Sequence, residues 1–367
     1  PPRPQSRDKQ KEIAKQVNNY LKLGVIKPVN AEEYSQVHLV PKPTPNEWRF
    51  CLDFVRLNNC TDGVEGWPIP NIKHMLDRIG ERKSRIFGVM DMTSGYHQAP
   101  ISASSQILTS FICFMGIFCW LRVPMGLKNA ASYFQRVMAT VVLIGLIYLI
   151  CELYIDDILV FGKDEDDFID NLEKVFKRLR QYNVTLNPKK CRFGMDKVEY
   201  VGHVISFEGI TFSDEKRVKV LDFPLPNTQK DLQAFLGLVN YFRDHVPDMT
   251  GLVKPLRVLI DPKKKNQRLT WTEIASENFL KVRDIVANCP ALYFVDENAP
   301  IIVMTDASDY GIGAYIYQLI DNKERPIIFY SSALSGAELN WSTIEKEGYA
   351  IFATLTKFSH LLRDNKF

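Results

Sequence analysis

The sequence contains no Cys-x-x-Cys pair and no His-x-x-x-His pair. Its seven cysteines (Cys51, Cys60, Cys113, Cys119, Cys151, Cys191 and Cys289) therefore indicate neither a zinc module nor a disulfide lattice. An odd number of thiols in apolar surroundings suits a reducing compartment. Long hydrophobic runs are also missing. The longest, Val137 to Cys151, is interrupted by Thr140 and Gly145 and then meets Glu152, which leaves it too short to span a bilayer. The opening Pro1-Pro2-Arg3-Pro4 lacks the apolar core of a secretory signal, so neither secretion nor a membrane partner is expected. A strong charge bias is absent too: the net charge of +3 argues neither for nor against nucleic acid, because a locally basic cleft can be offset by acids elsewhere.

What is present is a globular composition, 46% hydrophobic and 24% charged over 367 residues, enough for two or three cooperating units. Residues 8–23 set Ile13, Val17, Tyr20 and Leu21 on one helical face, with Gly24 as the stop. Val37 to Val40 and Arg49 to Leu52 read as strands around a hairpin-like loop, Lys42 to Glu47. Lys42 and Arg49 there either converge on one ligand or are two solvated cations. At the centre of the chain stands Tyr154-Ile155-Asp156-Asp157, a carboxylate pair between the apolar runs Leu149-Ile150-Cys151 and Ile158-Leu159-Val160-Phe161. That pattern predicts a tight hairpin. Asp-Asp in a turn is also the composition of a solvated loop tip. A third acid, Asp91, closes the strand-like run from Arg85 to Met90. Three carboxylates at neighbouring strand ends suit two hard cations about 4 Å apart, the arrangement of in-line phosphoryl transfer.

Asp91 with Ser94-Gly95-Tyr96-His97-Gln98, then Val123-Pro124-Met125-Gly126-Leu127-Lys128-Asn129-Ala130, then Tyr154-Ile155-Asp156-Asp157, resembles the ordered motifs of reverse transcriptases. The wording is similar to the Pol polyprotein of gypsy-class LTR retrotransposons. This resemblance implies an α+β fold: a right-hand polymerase of fingers, palm and thumb, followed by a partial ribonuclease H-like α/β module. The expected division is fingers and palm over residues 1–212, thumb over 213–270, and a C-terminally incomplete ribonuclease H-like domain over 271–367.

The implied function is RNA- and DNA-templated DNA synthesis, with two magnesium ions (Mg2+, or manganese, Mn2+) held by Asp91, Asp156 and Asp157. Alternation along a strand gives Asp91 and Asp156 the principal role. Lys190, in Asn187-Pro188-Lys189-Lys190-Cys191, matches a lysine near the leaving pyrophosphate; a surface lysine is the alternative. Lys42, Arg49, Tyr96, Met125 and Lys128 match nucleotide-binding positions, Tyr96 as the ring that blocks a ribose 2′-hydroxyl or else as a packed core residue. Val201, Gly202 and His203 match a primer grip, although His203 also reads as a turn histidine. The implied partners are a primed RNA or DNA template and deoxynucleoside triphosphates, and a homodimer is compatible. The implied location is intracellular, in a cytoplasmic particle or the nucleus.

Several positions depart from the family pattern. Val55 stands where the family usually has a template-seating arginine, with Arg56 expected on the opposite side of a strand. Met125 replaces a common phenylalanine and Ala131 a common proline. Phe235 to Phe242 tracks the thumb helix, and Lys263-Lys264-Lys265 is either a duplex-facing surface or a solvated loop. Asp306 and Glu347 resemble two of the four ribonuclease H carboxylates, so ribonuclease H activity is expected to be absent. The rival reading is a non-catalytic nucleic-acid-binding remnant of a decayed retroelement.

Overall fold

A computed structural model describes residues 1–42, 47–63, 66–261, 268–363 and 365–367. The loop 43–46 and the run Lys263-Lys264-Lys265 lie outside the described residues. The chain separates into two compact units, residues 1–79 with 84–195 and residues 80–83 with 196–367.

The first unit begins with α1 (Arg7–Lys22), β1 (Ile26–Pro28), β2 (Ser35–Pro41), β3 (Trp48–Leu52), α2 (Val55–Cys60) and α3 (Ile72–Glu81). It continues through β4 (Ile86–Asp91), α4 (Ala103–Gln106), β5 (Phe111–Cys113), β6 (Gly116–Trp120), α5 (Ala130–Val137), β7 (Cys151–Tyr154), β8 (Asp157–Gly162), α6 (Glu165–Gln181) and β9 (Arg192–Met195). Two sheets form, in the orders β1-β6-β5-β2-β3 and β7-β8-β4-β9. The Ser6 hydroxyl caps α1 through the Lys9 N–H, and the helix buries Ile13 and Val17 in a cluster with Phe50, Phe111, Phe118 and Trp120. The second sheet packs its strands against α5 and α6, burying Met90, Phe134, Leu153, Ile158, Val160, Phe168, Val175 and Leu179 together. Strand β8 is buried along its whole apolar run, which explains why it reads as continuous Ile-Leu-Val-Phe rather than as an alternating strand.

One local expectation needs correction. Residues 55–60 form helix α2 rather than a continued strand, so Val55 and Arg56 are not on opposite faces of a sheet. Phe54 is only 2% exposed, the Asp53 carboxylate accepts the Val55 N–H, and the Asn58 amide is tied to the Gly126 carbonyl, which together turn the chain into a helix. Arg56 pairs with Glu33 at the surface. Asp164 caps α6 through the Asp167 N–H, while the Asp167 carboxylate accepts the Lys163 N–H. Phe176, on the exposed side of α6, packs edge-on to Phe193.

The second unit comprises β10 (Lys197–Tyr200), β11 (His203–Ser206), β12 (Gly209–Thr211), α7 (Asp214–Leu221), α8 (Gln229–Asn240), α9 (Met249–Arg257), α10 (Glu273–Ala287) and β13 (Leu292–Tyr293). It ends with β14 (Ile301–Ala307), β15 (Gly311–Ile320), β16 (Lys323–Ala333), α11 (Thr343–Lys357) and α12 (Ser359–Leu362). Strands β10 to β13 make one sheet in sequence order, and β14 to β16 an antiparallel second one. Helices α7 to α10 share a core of Val220, Leu232, Phe235, Val239, Phe242, Leu256, Phe279 and Val282. A reciprocal capping box between Thr228 and Asp231 starts α8.

Candidate active site

Strands β4 and β8 pair antiparallel from Ile86↔Gly162 to Asp91↔Asp157, so the last residue of one strand stands opposite the first of the other. Strand β7 closes on β8 with Tyr154↔Asp157, leaving Ile155 and Asp156 as the two turn residues. The left-handed φ of +58° at Ile155 is what a tight two-residue hairpin demands. The predicted hairpin is therefore present. The alternation argument for ranking the acids does not apply, because Asp156 lies in the turn and Asp157 is the residue in register with Asp91.

Sequence reasoning missed two side chains that fix this arrangement. Gln135, on α5 and 1% exposed, accepts the Ile155 N–H at 2.7 Å and donates to the Leu153 carbonyl at 3.3 Å. A glutamine on the apolar face of a helix was the available signal, since a buried amide must find partners. Gln98 joins the segment after Asp91 to the one before Lys190. It donates to the carbonyls of Thr93 and Thr185 at 2.7 and 2.8 Å and accepts the Thr185 N–H at 2.7 Å. Beyond that clamp, the Asn187 N–H bonds to the Asp91 carbonyl, and Lys190 Nζ reaches the Asp91 carboxylate at 2.9 Å.

The electrostatics follow from this crowding. Burial, then the charges of Asp156 and Asp91, push the Asp157 carboxyl up to about 6. Burial also raises Asp156, with Asp91 adding to the effect. The hydrogen bond to Asp91 raises the Lys190 ammonium. Among the described residues no three carboxylate, imidazole or thiol groups close into a ready-made metal cage. The donor chemistry nevertheless fits a hard divalent cation: three oxygen-bearing acids on adjacent backbone positions hold more negative charge than Lys190 alone offsets.

Tyr96 lies beside this cluster, its ring 5.4 Å from that of Phe134. Burial first, then Asp156, raise its hydroxyl above the ordinary value. Tyr96 is thus packed and adjoins the acids. Met125 is exposed, next to Gly126 with its φ of +96°. Lys128 is pinned to the α2 region, its N–H to Asn58 Oδ1 and its ammonium to the Thr61 carbonyl. Lys42 and Arg49 belong to the β2–β3 hairpin of the other sheet; Lys42 pairs with Glu47 at 3.1 Å and Arg49 is exposed.

In the second unit, Val201 and Gly202 form the turn between β10 and β11, with φ values of +46° and +77°. His203 is buried, and its Nδ1 lies 3.1 Å from Tyr241 Oη. Asp306 is exposed on β14, and Glu347 sits on α11, which packs across β14 and β15. Lys346 is buried and donates to Asp309.

A sheet that sets Asp91 in register with Asp157, with Asp156 in the adjoining turn and two helices packed on it, is the arrangement expected of a polymerase palm. Residues 40–205 match the family described as reverse transcriptase (RNA-dependent DNA polymerase), and residues 271–367 match an RNase H-like domain found in reverse transcriptase. The chain is 36% identical over 357 residues to the retrovirus-related Pol polyprotein from transposon opus of Drosophila melanogaster, covering 94% of this chain and 35% of that protein. It is 32% identical over 351 residues to the transposon Tf2-3 polyprotein of Schizosaccharomyces pombe, covering 95% of this chain and 26% of that protein. It thus spans about a third or less of these relatives' length. Among solved structures, the foamy viral protease-reverse transcriptase in complex with dsDNA superposes with a TM-score of 0.81 at 25% identity, over 98% of this chain and 75% of that one. The same viral protein in complex with RNA/DNA hybrid gives 0.80 at 25% identity, over 97% and 48%. The chain carries a reverse transcriptase domain over residues 40–205 and an RNase H-like domain over residues 271–367, and it is similar to the Pol polyproteins of transposons. Among the described residues no helix is long and apolar enough to cross a membrane.

Proposed function

We propose that this chain is the RNA- and DNA-templated DNA polymerase of a gypsy-class LTR retrotransposon, adding deoxynucleotides to a primer 3′-hydroxyl. The observation that carries this reading is the register of Asp91 against Asp157 with Asp156 in the adjoining turn. The proposed division is fingers and palm over 1–212, thumb over 213–270 and the ribonuclease H-like module over 271–367.

Asp91, Asp156 and Asp157 are the residues that would hold two divalent ions. When bound, such ions supply activation of the primer hydroxyl and neutralisation of the triphosphate. The chain's own part is positional. Gln135 holds the acid turn in its left-handed conformation, and Gln98 fixes the segment bearing Lys190. Lys190, freed from Asp91, is placed to offset charge on the leaving pyrophosphate or to give it a proton. Lys42, Arg49 and Lys128 are the candidate cations for the incoming triphosphate, with Met125 beside it, and Tyr96 supplies the wall against a ribose 2′-hydroxyl. The turn Val201-Gly202-His203 would steady the primer end.

Extension of one primer on matched RNA and DNA templates, with magnesium and with chelator, tests the proposal. Metal-dependent lengthening on both templates supports it. Binding of the primed duplex without lengthening would favour the non-catalytic remnant instead.

A further inference from the structure

Beside the hairpin turn of the second unit stands a cation, Lys216, that makes no ion pair among the described residues. Lys216, in the first turn of α7, lays its ammonium 3.9 Å from the centre of the Tyr241 ring. The same ammonium rests against Gly202: a Cβ built on that glycine would fall 1.9 Å from Lys216 Nζ and 2.9 Å from Tyr241 Oη. Gly202 is favoured by its left-handed φ of +77°, and the open space above it is where the lysine end rests. Tyr241, which follows directly on α8, donates its hydroxyl proton to the Val201 carbonyl at 2.6 Å. His203 Nδ1 completes the chain at 3.1 Å from the same oxygen, a geometry served by a neutral imidazole protonated at Nδ1. Turn, ring and ammonium are therefore one assembly built from three separate segments.

Lys219, one helical turn along α7, contrasts with Lys216. Lys219 is paired with Glu215 at 2.6 Å, whereas Lys216 makes no ion pair among the described residues. Partial burial lowers the Lys216 ammonium from its ordinary value and Lys219 adds to this, while Glu199 opposes it from beyond ion-pair distance, so the cation is held at a net cost in the free protein. An aromatic face attracts the cation but leaves its charge in place. The partner such a group lacks is an anion, delivered to the tip of the turn.

We propose that Lys216 is a contact for a backbone phosphate of the primer strand, and that Tyr241 is its positioning residue, locking the Val201-Gly202 turn and the ammonium in fixed relation. This rests on the polymerase reading above and adds to it a residue and the chemical group that it meets.

The test is the dependence of primed-duplex affinity on salt concentration, for the full chain and its variants. Each phosphate contact contributes about 0.9 to the slope of log K against log salt. Lys216→Gln and Lys216→Met, the second keeping an apolar stem on the ring, are expected to lower that slope by about one contact. Lys216→Arg is expected to preserve it, and Lys219→Gln to leave it unchanged. Tyr241→Leu is expected to reproduce the loss, with Lys216→Gln adding nothing on top of it.

A scan with single methylphosphonates along the primer then locates the contact. One neutralised phosphate near the 3′ end should weaken wild-type binding several-fold and leave Lys216→Gln unaffected. A wild-type slope in both charge-removing variants, or coupling to the template strand alone, overturns the inference while leaving the polymerase reading in place. A wild-type chain that binds no primed duplex overturns both.

Discussion

Gln135 accepts the Ile155 N–H at 2.7 Å, reaching from helix α5 into the turn that carries Asp156. The bond holds a residue with φ +58° that would otherwise relax, and the same amide satisfies the Leu153 carbonyl. Truncation at Gln135→Ala leaves two backbone groups unpaired in an apolar interior, a loss of about 1–3 kcal/mol. The expected outcome is a lower melting temperature together with slower extension, because Asp156 loses its fixed position. Chemical denaturation beside single-turnover extension measures both. Unchanged stability with unchanged rate would show that the turn holds itself.

The acid cluster should weaken the fold it serves. Burial and neighbouring charge raise Asp157 to about 6, against an ordinary value of 3.8. A raised carboxyl stabilises the folded state below 3.8 and loses that contribution as pH rises through 6, so at neutral pH the ionised group opposes folding. Asp157→Asn, which mimics the neutral form, is expected to stabilise the metal-free chain at pH 7.5 by about 1 kcal/mol after allowance for solvent screening. The gain should vanish towards pH 4. Melting curves across that range, with chelator present, check the sign.

Acid sensitivity has a separate source in the histidines. Burial lowers His97, His203 and His245 each to about 4 from an ordinary 6.5. Between those values the unfolded chain takes up protons that the folded chain refuses, so stability present above pH 6.5 drains away as pH falls to 4. Each imidazole accounts for up to about 3 kcal/mol at the limit. His97 packs against Trp120 at 4.7 Å, so His97→Phe keeps the ring contact. That variant should lose less stability than the wild type over this range in denaturant titrations. An identical pH slope would show that His97 does not take part.

Tyr96 couples packing to sugar selection. Its ring leans on Phe134 and its hydroxyl feels Asp156, so it is packed and also adjoins the acids proposed to serve the nucleotide. Tyr96→Ala is expected to raise ribonucleotide use relative to deoxynucleotide use by about tenfold or more, equivalent to about 1.4 kcal/mol of lost discrimination. Tyr96→Phe should stay close to wild type. Competing extension with the two nucleotide types gives the ratio directly.

The acid hairpin was legible in the sequence because two apolar runs flanking Asp-Asp allow few other local structures. Helix α1 was legible for the same kind of reason, an apolar stripe at helical spacing. What could not be read were contacts between distant segments. Lys190 and Asp91 are 99 residues apart, and nothing local to either announces their ion pair. Gln135 and Gln98 look like ordinary polar helix and loop residues until the backbone groups they satisfy come into view. The strand expected through Val55 and Arg56 failed because buried Phe54 and the Asn58 clamp on Gly126 and Lys128 outweigh local preference. Neither tie is visible from residues 53–58 alone.

The central claim is that Asp91, Asp156 and Asp157 form one catalytic group, and Asp156→Asn tests it most directly on a primed RNA template with magnesium. The account predicts extension below about one-thousandth of the wild-type rate, with primed-duplex affinity nearly unchanged. Extension at the wild-type rate would contradict it.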